Sequence, residues 1–183
     1  MSEIHKEMSL QSFATTVCNH LNEHNIQAIL TGGAVVSIYT ANKYESADAD
    51  FISQASENRL IDAMKDLGFE KKGKDFVHPD TELVAEFPGR QMQVGSHGLI
   101  EDWVEMEEDG KKLYLLSPTD CVRDRLAAYF HWNDTECLGQ AVMVAIDQPV
   151  NIELIRKWAI EEGARDKFDD FIKEIEAENK RKP

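Results

Sequence analysis

Ser117 followed by Pro118 divides this chain into two textures, and no other feature restricts its fold as much. Proline lacks a backbone N–H and has a fixed φ, so it suits the first turn of a helix and disrupts the interior of one. After it, "TDCVRDRLAAYFHW", "ECLGQAVMVAI", "NIELIRKWAIEEG" and "RDKFDDFIKEIEAE" read as successive helices, with "NKRKP" as a frayed tail. Before it, short β-branched and aromatic runs alternate with fewer helical stretches. The expected fold is α+β: a mixed sheet flanked by helices over residues 1–116, then a helical C-terminal part over 117–183 packed on that core.

Within the first part, Leu10, Phe13, Val17 and Leu21 recur at helical spacing, which predicts a helix over about 8–24. "IQAILTGG" reads as a buried strand entering a glycine turn, "AVVSIYTAN" as a short helix and "SADADFIS" as a second strand. Leu60, Ile61, Met64 and Leu67 mark another helix, stopped near Gly68. "FEKKGKDFVHP" and "TELVAEF" read as two strands of a hairpin or meander. "WVEME" and "KKLYLLS" form a further hairpin through "EDGK".

Composition sets the outer limits on function. With 183 residues the chain can bury one substantial core, and its formal charge of −14 argues against bulk duplex DNA as a partner. A local basic pocket still permits a small phosphorylated ligand or an RNA end. Cys18, Cys121 and Cys137 form no CxxC pair and suggest neither a zinc ribbon nor a disulfide framework. "MSEIHKEMSLQ" has no apolar signal core and no run reaches membrane-spanning length, so a cytoplasmic location without membrane partners is expected.

The chemistry concentrates in "LTGGAVVSIYTANKYESADADF". Residues two apart on a strand share a face, so Asp48 and Asp50 project two carboxylates to one side. Two anions that close repel unless a cation lies between them, and Mg²⁺ (or Mn²⁺) suits carboxylate oxygens and substrate phosphates. An EF-hand is ruled out because "DADFISQASENR" lacks both the central glycine and the final glutamate. An isolated acidic pair also fits a solvated strand end. Gly32 and Gly33 strengthen the site reading, because they let backbone approach an anion ahead of a helix. A third carboxylate comes from "TELVAEFPG", where Glu82 and Glu86 would share one face; Glu86, set among Val84, Ala85 and Phe87, is preferred.

The stretch from Leu30 to Phe51 resembles the signature of the DNA polymerase β-like nucleotidyltransferase superfamily: a Gly-Gly or Gly-Ser turn, a short helix and a strand with Asp-x-Asp. It is closest to small prokaryotic nucleotidyltransferases, including those related to abortive-infection toxins and minimal antitoxin-type domains. Gly32, Gly33, Ser46, Asp48 and Asp50 match. The resemblance implies that Gly32 and Gly33 cradle the triphosphate, with Ser46 beside them, that Asp48 and Asp50 bind Mg²⁺, and that Glu86 is the third acid. It loosely extends over about 25–135 through the "SPTDCVRDRLAAYFHW" helix. Gly33 stands where a serine is frequent, and Tyr44 where an arginine is usual, leaving Lys43 as the nearest cation.

The function expected is metal-dependent transfer of a nucleoside monophosphate from an NTP to an unidentified acceptor: a small molecule, an RNA end or a protein. The alternatives are a degenerate relative that binds nucleotide or a toxin/antitoxin partner without turnover, and an interaction domain whose acids are incidental. Arg125 is expected to point inward, where it could neutralise the triphosphate. Arg123, two residues away, faces elsewhere. Lys71, Lys72 and Lys74 read as a solvated hairpin that could steer a phosphate. His131 to Asp134 read as helix-end capping, and "GSHG" as a flexible loop.

Overall fold

The computed structural model describes residues 3–181, which divide into two compact units. The first comprises residues 3–35, 45–92 and 102–116; the second comprises residues 36–44, 93–101 and 117–181.

The first unit is built on a mixed seven-stranded sheet. Its strands are β1 (Ile29–Thr31), β2 (Asp48–Ile52), β3 (Glu70–Lys72), β4 (Asp75–Val77), β5 (Val84–Gly89) and, after a two-stranded ribbon in the other unit (β6, Gln93–Val94; β7, Gly98–Leu99), β8 (Val104–Glu108) and β9 (Lys111–Leu115). The spatial order is β3-β4-β5-β2-β1-β9-β8. β1 pairs antiparallel with β2 and parallel with β9, and β2 runs parallel to β5. "FEKKGKDFVHP" is therefore not one strand. It turns back at Gly73, whose φ of +63° a side chain would resist.

Helix α1 (Leu10–Glu23) starts where Ser9 accepts a hydrogen bond from the Ser12 amide, and it buries Phe13, Val17, Cys18 and Leu21. It packs on β9 and on α3 (Glu57–Asp66), which buries Leu60, Ala63 and Met64. Along β2 the side chains alternate. Ala49 and Phe51 are fully buried, whereas Asp48 and Asp50 lie on the opposite, wetter face. Between β1 and β2 runs α2 (Gly32–Tyr39), which begins in the first unit and ends in the second.

The second unit is mostly helical: α4 (Pro118–Trp132), α5 (Thr135–Asp147), α6 (Ile152–Glu161) and α7 (Arg165–Arg181). Ser117 caps α4 through the Asp120 amide with Pro118 in its first turn. Asn133 ends α4 at φ +55°, and Asp134 caps α5 through the Cys137 amide. Residues 179–181, expected to fray, continue α7; Lys182 and Pro183 lie outside the described residues.

"GSHG" is anchored rather than free. Glu162, at the end of α6 and fully withdrawn from solvent, accepts from the Ser96 and His97 amides at 2.7 Å each and from Trp158 Nε1 at 3.1 Å. Its other oxygen meets His131 Nε2 at 2.8 Å. Burial pushes the Glu162 carboxyl up, but the hydrogen bonds from His131, His97 and Ser96 outweigh it and hold the group below its usual range. Beneath the same loop lies Arg123, which is buried, paired with Asp120 at 2.7 Å and placed over the Trp158 ring. Arg123, and not Arg125, is thus the more deeply buried of the two arginines.

Candidate active site

The register of the first unit's sheet places the acids side by side. Asp50 on β2 pairs with Glu86 on the parallel β5, and Glu86 pairs in turn with Asp75 on β4. Thr31 on β1 is the register partner of Asp50 on its other side. Residues paired across a sheet point to the same face, so Thr31, Asp50, Glu86 and Asp75 form one row over four strands. Asp48 lies two residues along β2 on that face. Glu82 precedes β5 and is exposed, so the shared face expected for it and Glu86 does not form.

The glycine turn is built against this row. Gly32 has φ +70°, and a Cβ there would lie 2.8 Å from Asp50 Oδ2. Any other residue would both strain the backbone and displace the carboxylate. Gly33 follows in the first turn of α2. Ser46 uses its hydroxyl at the mouth of β2, accepting from the Asp48 amide at 3.3 Å and donating to the Asp48 carbonyl at 3.1 Å. It shapes the entry of the strand that carries the acids.

Lys74 complicates the acidic row. Its Nζ donates to both oxygens of Glu86 at 3.0 Å. The Glu86 hydrogen bond and charge, with smaller help from Asp75 and Asp50, hold the ammonium above the usual lysine range. Asp75 Oδ1 is buried with no hydrogen-bond donor among the described residues. Asp75 did not stand out in the sequence, and Lys74 did so only within a lysine cluster that could steer a phosphate. Only the pairing of β4 with β5 brings them to Glu86.

The remaining expected site residues lie in the second unit. The Lys43 ammonium is held by Asp147 at 2.8 and 2.6 Å. Arg125 is half-buried and forks onto Asp124 at 3.1 and 2.6 Å, reaching Cys137 Sγ at 3.6 Å and Gln140 at 3.4 Å. Tyr44 hydrogen-bonds with Gln140, and burial pushes its phenol up.

Among the described residues, no group of three or more His, Cys, Asp or Glu side chains is arranged to hold a metal ion. Asp48 and Asp50 nonetheless offer the hard oxygen donors that Mg²⁺ takes, in the number it uses when phosphates and waters complete its shell. Asp75 Oδ1, which has no hydrogen-bond donor among the described residues, adds a further carboxylate oxygen to the same row. The donor chemistry fits through the aspartate pair, while Glu86 is occupied by Lys74.

No protein-family model matches this chain, and no curated protein matches it in sequence. Solved structures match it in fold. The crystal structure of an antigenic nucleotidyltransferase-like protein from Paracoccidioides brasiliensis is similar over 76% of this chain and 77% of that one, at 13% identity and a TM-score of 0.55. The solution structure of the antibiotic-resistance factor ANT(2'')-Ia is similar over 94% of this chain and all of that one, at 13% identity and a TM-score of 0.49. No helix among the described residues is long and apolar enough to cross a membrane. The mixed sheet and its helices thus have an α+β, nucleotidyltransferase-like fold.

Proposed function

We propose that the chain is a metal-dependent nucleotidyltransferase that moves a nucleoside monophosphate from an NTP to an acceptor hydroxyl or phosphate. The observation that carries this reading is the register of Asp50 with Glu86, with Gly32 packed against the Asp50 carboxylate. A turn able to approach phosphate and a pair of acids able to hold a cation then meet at one place.

Asp48 and Asp50 would hold Mg²⁺ or Mn²⁺, which when bound supplies charge neutralisation at the phosphates. For a hydroxyl acceptor, its oxygen attacks the α-phosphorus and a new P–O bond forms. The bond from that phosphorus to the α–β bridging oxygen breaks, and pyrophosphate leaves. The hydroxyl proton passes to Glu86, once that carboxylate is released from Lys74. Gly32 and Gly33 let the backbone approach the triphosphate closely.

A second reading is nucleotide binding without turnover, and it is favoured by the two-pronged hold of Lys74 on Glu86. Titration of Mg²⁺–NTP into wild type and into Asp48→Asn plus Asp50→Asn tests the site. Equal affinity in both removes it. Incubation with α-labelled NTPs then separates the two readings, since only transfer leaves label on a product.

A further inference from the structure

Neighbouring strands of a sheet lie about 4.8 Å apart. Asp50, Glu86 and Asp75 hold successive register positions on β2, β5 and β4, so three carboxylates follow one another at that spacing on one face. Like charges so close need a cation among them, or one of them must take up a proton. The chain supplies one cation itself. Lys72 pairs with Asp75, which leaves Gly73 and Lys74 as a two-residue turn between β3 and β4. From that turn the Lys74 ammonium meets both oxygens of Glu86 at 3.0 Å. Asp75 and Asp50 add their pull to that of Glu86.

A divalent ion bridging Asp50 and Glu86 would have to take a Glu86 oxygen from that ammonium, and would do so against the ammonium's own charge. The competition is uneven. Lys74 is tethered to a turn that strand pairing fixes, so Glu86 meets it at an effective concentration on the order of millimolar. Mg²⁺, by contrast, gives up its water reluctantly to reach a carboxylate. We propose that Lys74 takes the place of a second divalent ion at Glu86, so that the acidic row holds one divalent ion, at Asp48 and Asp50, and Glu86 is not a metal ligand. The ion at Asp48 and Asp50 is taken from the transfer reading above, whereas the exclusion of a metal from Glu86 does not depend on it. Glu86 then meets the acceptor as a base. The lysine is 77% exposed and can swing aside when a hydroxyl arrives, yet its tether returns it afterwards.

The test titrates the intact chain with Mn²⁺ alone and counts bound ions from the electron paramagnetic resonance signal of the free ion. Wild type should bind one ion, and Asp48→Asn plus Asp50→Asn should lose it. Lys74→Ala should gain a second, weaker ion, held at least about tenfold more tightly than any second ion on wild type. Lys74→Arg keeps a cation on the turn and should gain none. Adding Glu86→Gln to Lys74→Ala should abolish the gain, and the thermal melts of Lys74→Ala and wild type should coincide. Two ions on wild type, a Lys74→Ala variant that binds no more than wild type, or a gain that survives Glu86→Gln would each overturn the role of Lys74 and leave the transfer reading in place. If Asp48→Asn plus Asp50→Asn binds Mn²⁺ as wild type does while Lys74→Ala still gains its Glu86-dependent ion, the transfer reading falls and the exclusion of metal from Glu86 by Lys74 stands.

Discussion

Glu86 and Glu162 are both carboxylates largely withdrawn from water, with side chains 13% and 0% exposed, but they are satisfied in opposite ways. Glu162 collects two backbone amides, an indole N–H and two imidazoles, those of His97 and His131, all fixed by the elements that carry them. Among the described residues the Glu86 carboxylate is held by the tip of a long and mostly exposed lysine. A carboxylate held by rigid donors is a clamp: removing it strands those donors, and nothing can readily take its place. One held by a flexible, mostly exposed ammonium can exchange that partner for a ligand's charge, because the lysine gains side-chain entropy on leaving and the incoming charge keeps the carboxylate paired. The comparison thus separates an acid that builds the second unit from acids proposed to serve chemistry in the first.

The largest effect should come from the poised acids. Asp48→Asn plus Asp50→Asn is expected to lower transfer by about 10³-fold or more, while the urea midpoint moves by less than about 0.5 kcal/mol equivalent. A large loss of stability would make the pair structural and break the contrast. Glu162→Ala should do the reverse, costing roughly 3 kcal/mol as the Ser96, His97 and Trp158 donors lose their acceptor. Chemical denaturation followed by tryptophan fluorescence reads it, since Trp158 loses its hydrogen bond. An Ala variant as stable as wild type would show that the clamp holds nothing.

The two sites were unequally legible in the sequence, for physical reasons. The strand, glycine turn, short helix and DAD strand are local, and local patterning sets them: Gly32 adopts the positive φ that glycine tolerates, and alternation along β2 separates Asp50 from Phe51. Ser117 and Pro118 open α4 by capping, which acts over a single turn. The meeting of Asp75 and Lys74 with Glu86 was not legible, because it comes only through strand pairing, and the fold back at Gly73 sets that register. Glu162 was hidden for the same reason: the amides it binds are 65 and 66 residues away. Arg125 does turn inward, with its side chain 18% exposed, but the deeper burial of Arg123 was not legible, because it depends on Asp120 and the Trp158 ring supplying its partners.

Gly32→Ala sharpens the comparison from the backbone side. The left-handed conformation costs a non-glycine residue about 1–2 kcal/mol, and the added Cβ meets Asp50 Oδ2. Modest destabilisation with a disproportionate loss of Mg²⁺–NTP affinity is expected. A proportionate loss would mean that the turn shapes the fold without serving the acids.

The pH dependence is smaller and belongs to Glu162. Its folded-state value is lowered from 4.5, so its contribution is fully present above that pH and is lost as pH falls through the folded value. The stability difference between wild type and Glu162→Ala should therefore be level above about pH 5.5 and shrink on further acidification, as denaturation curves between pH 3 and 7 would show. A difference that grew on acidification would show that the fold holds Glu162 above, and not below, its usual range.

Lys74→Ala should give the smallest change in stability and is the most telling about Glu86. The ammonium lies at the surface and its ion pair is exposed on the lysine side, so the melting temperature should hold. Without it, Glu86 no longer waits for a ligand to draw its partner away. If Lys74 only blocks the carboxylate, transfer to a simple hydroxyl acceptor should rise in the variant with Mg²⁺–NTP affinity unchanged. A lysine that instead grips the triphosphate would show itself by a weaker Mg²⁺–NTP affinity and no gain in transfer. Measuring both quantities on both proteins therefore decides whether the lysine restrains Glu86 or serves the nucleotide, which is what sets this carboxylate apart from Glu162.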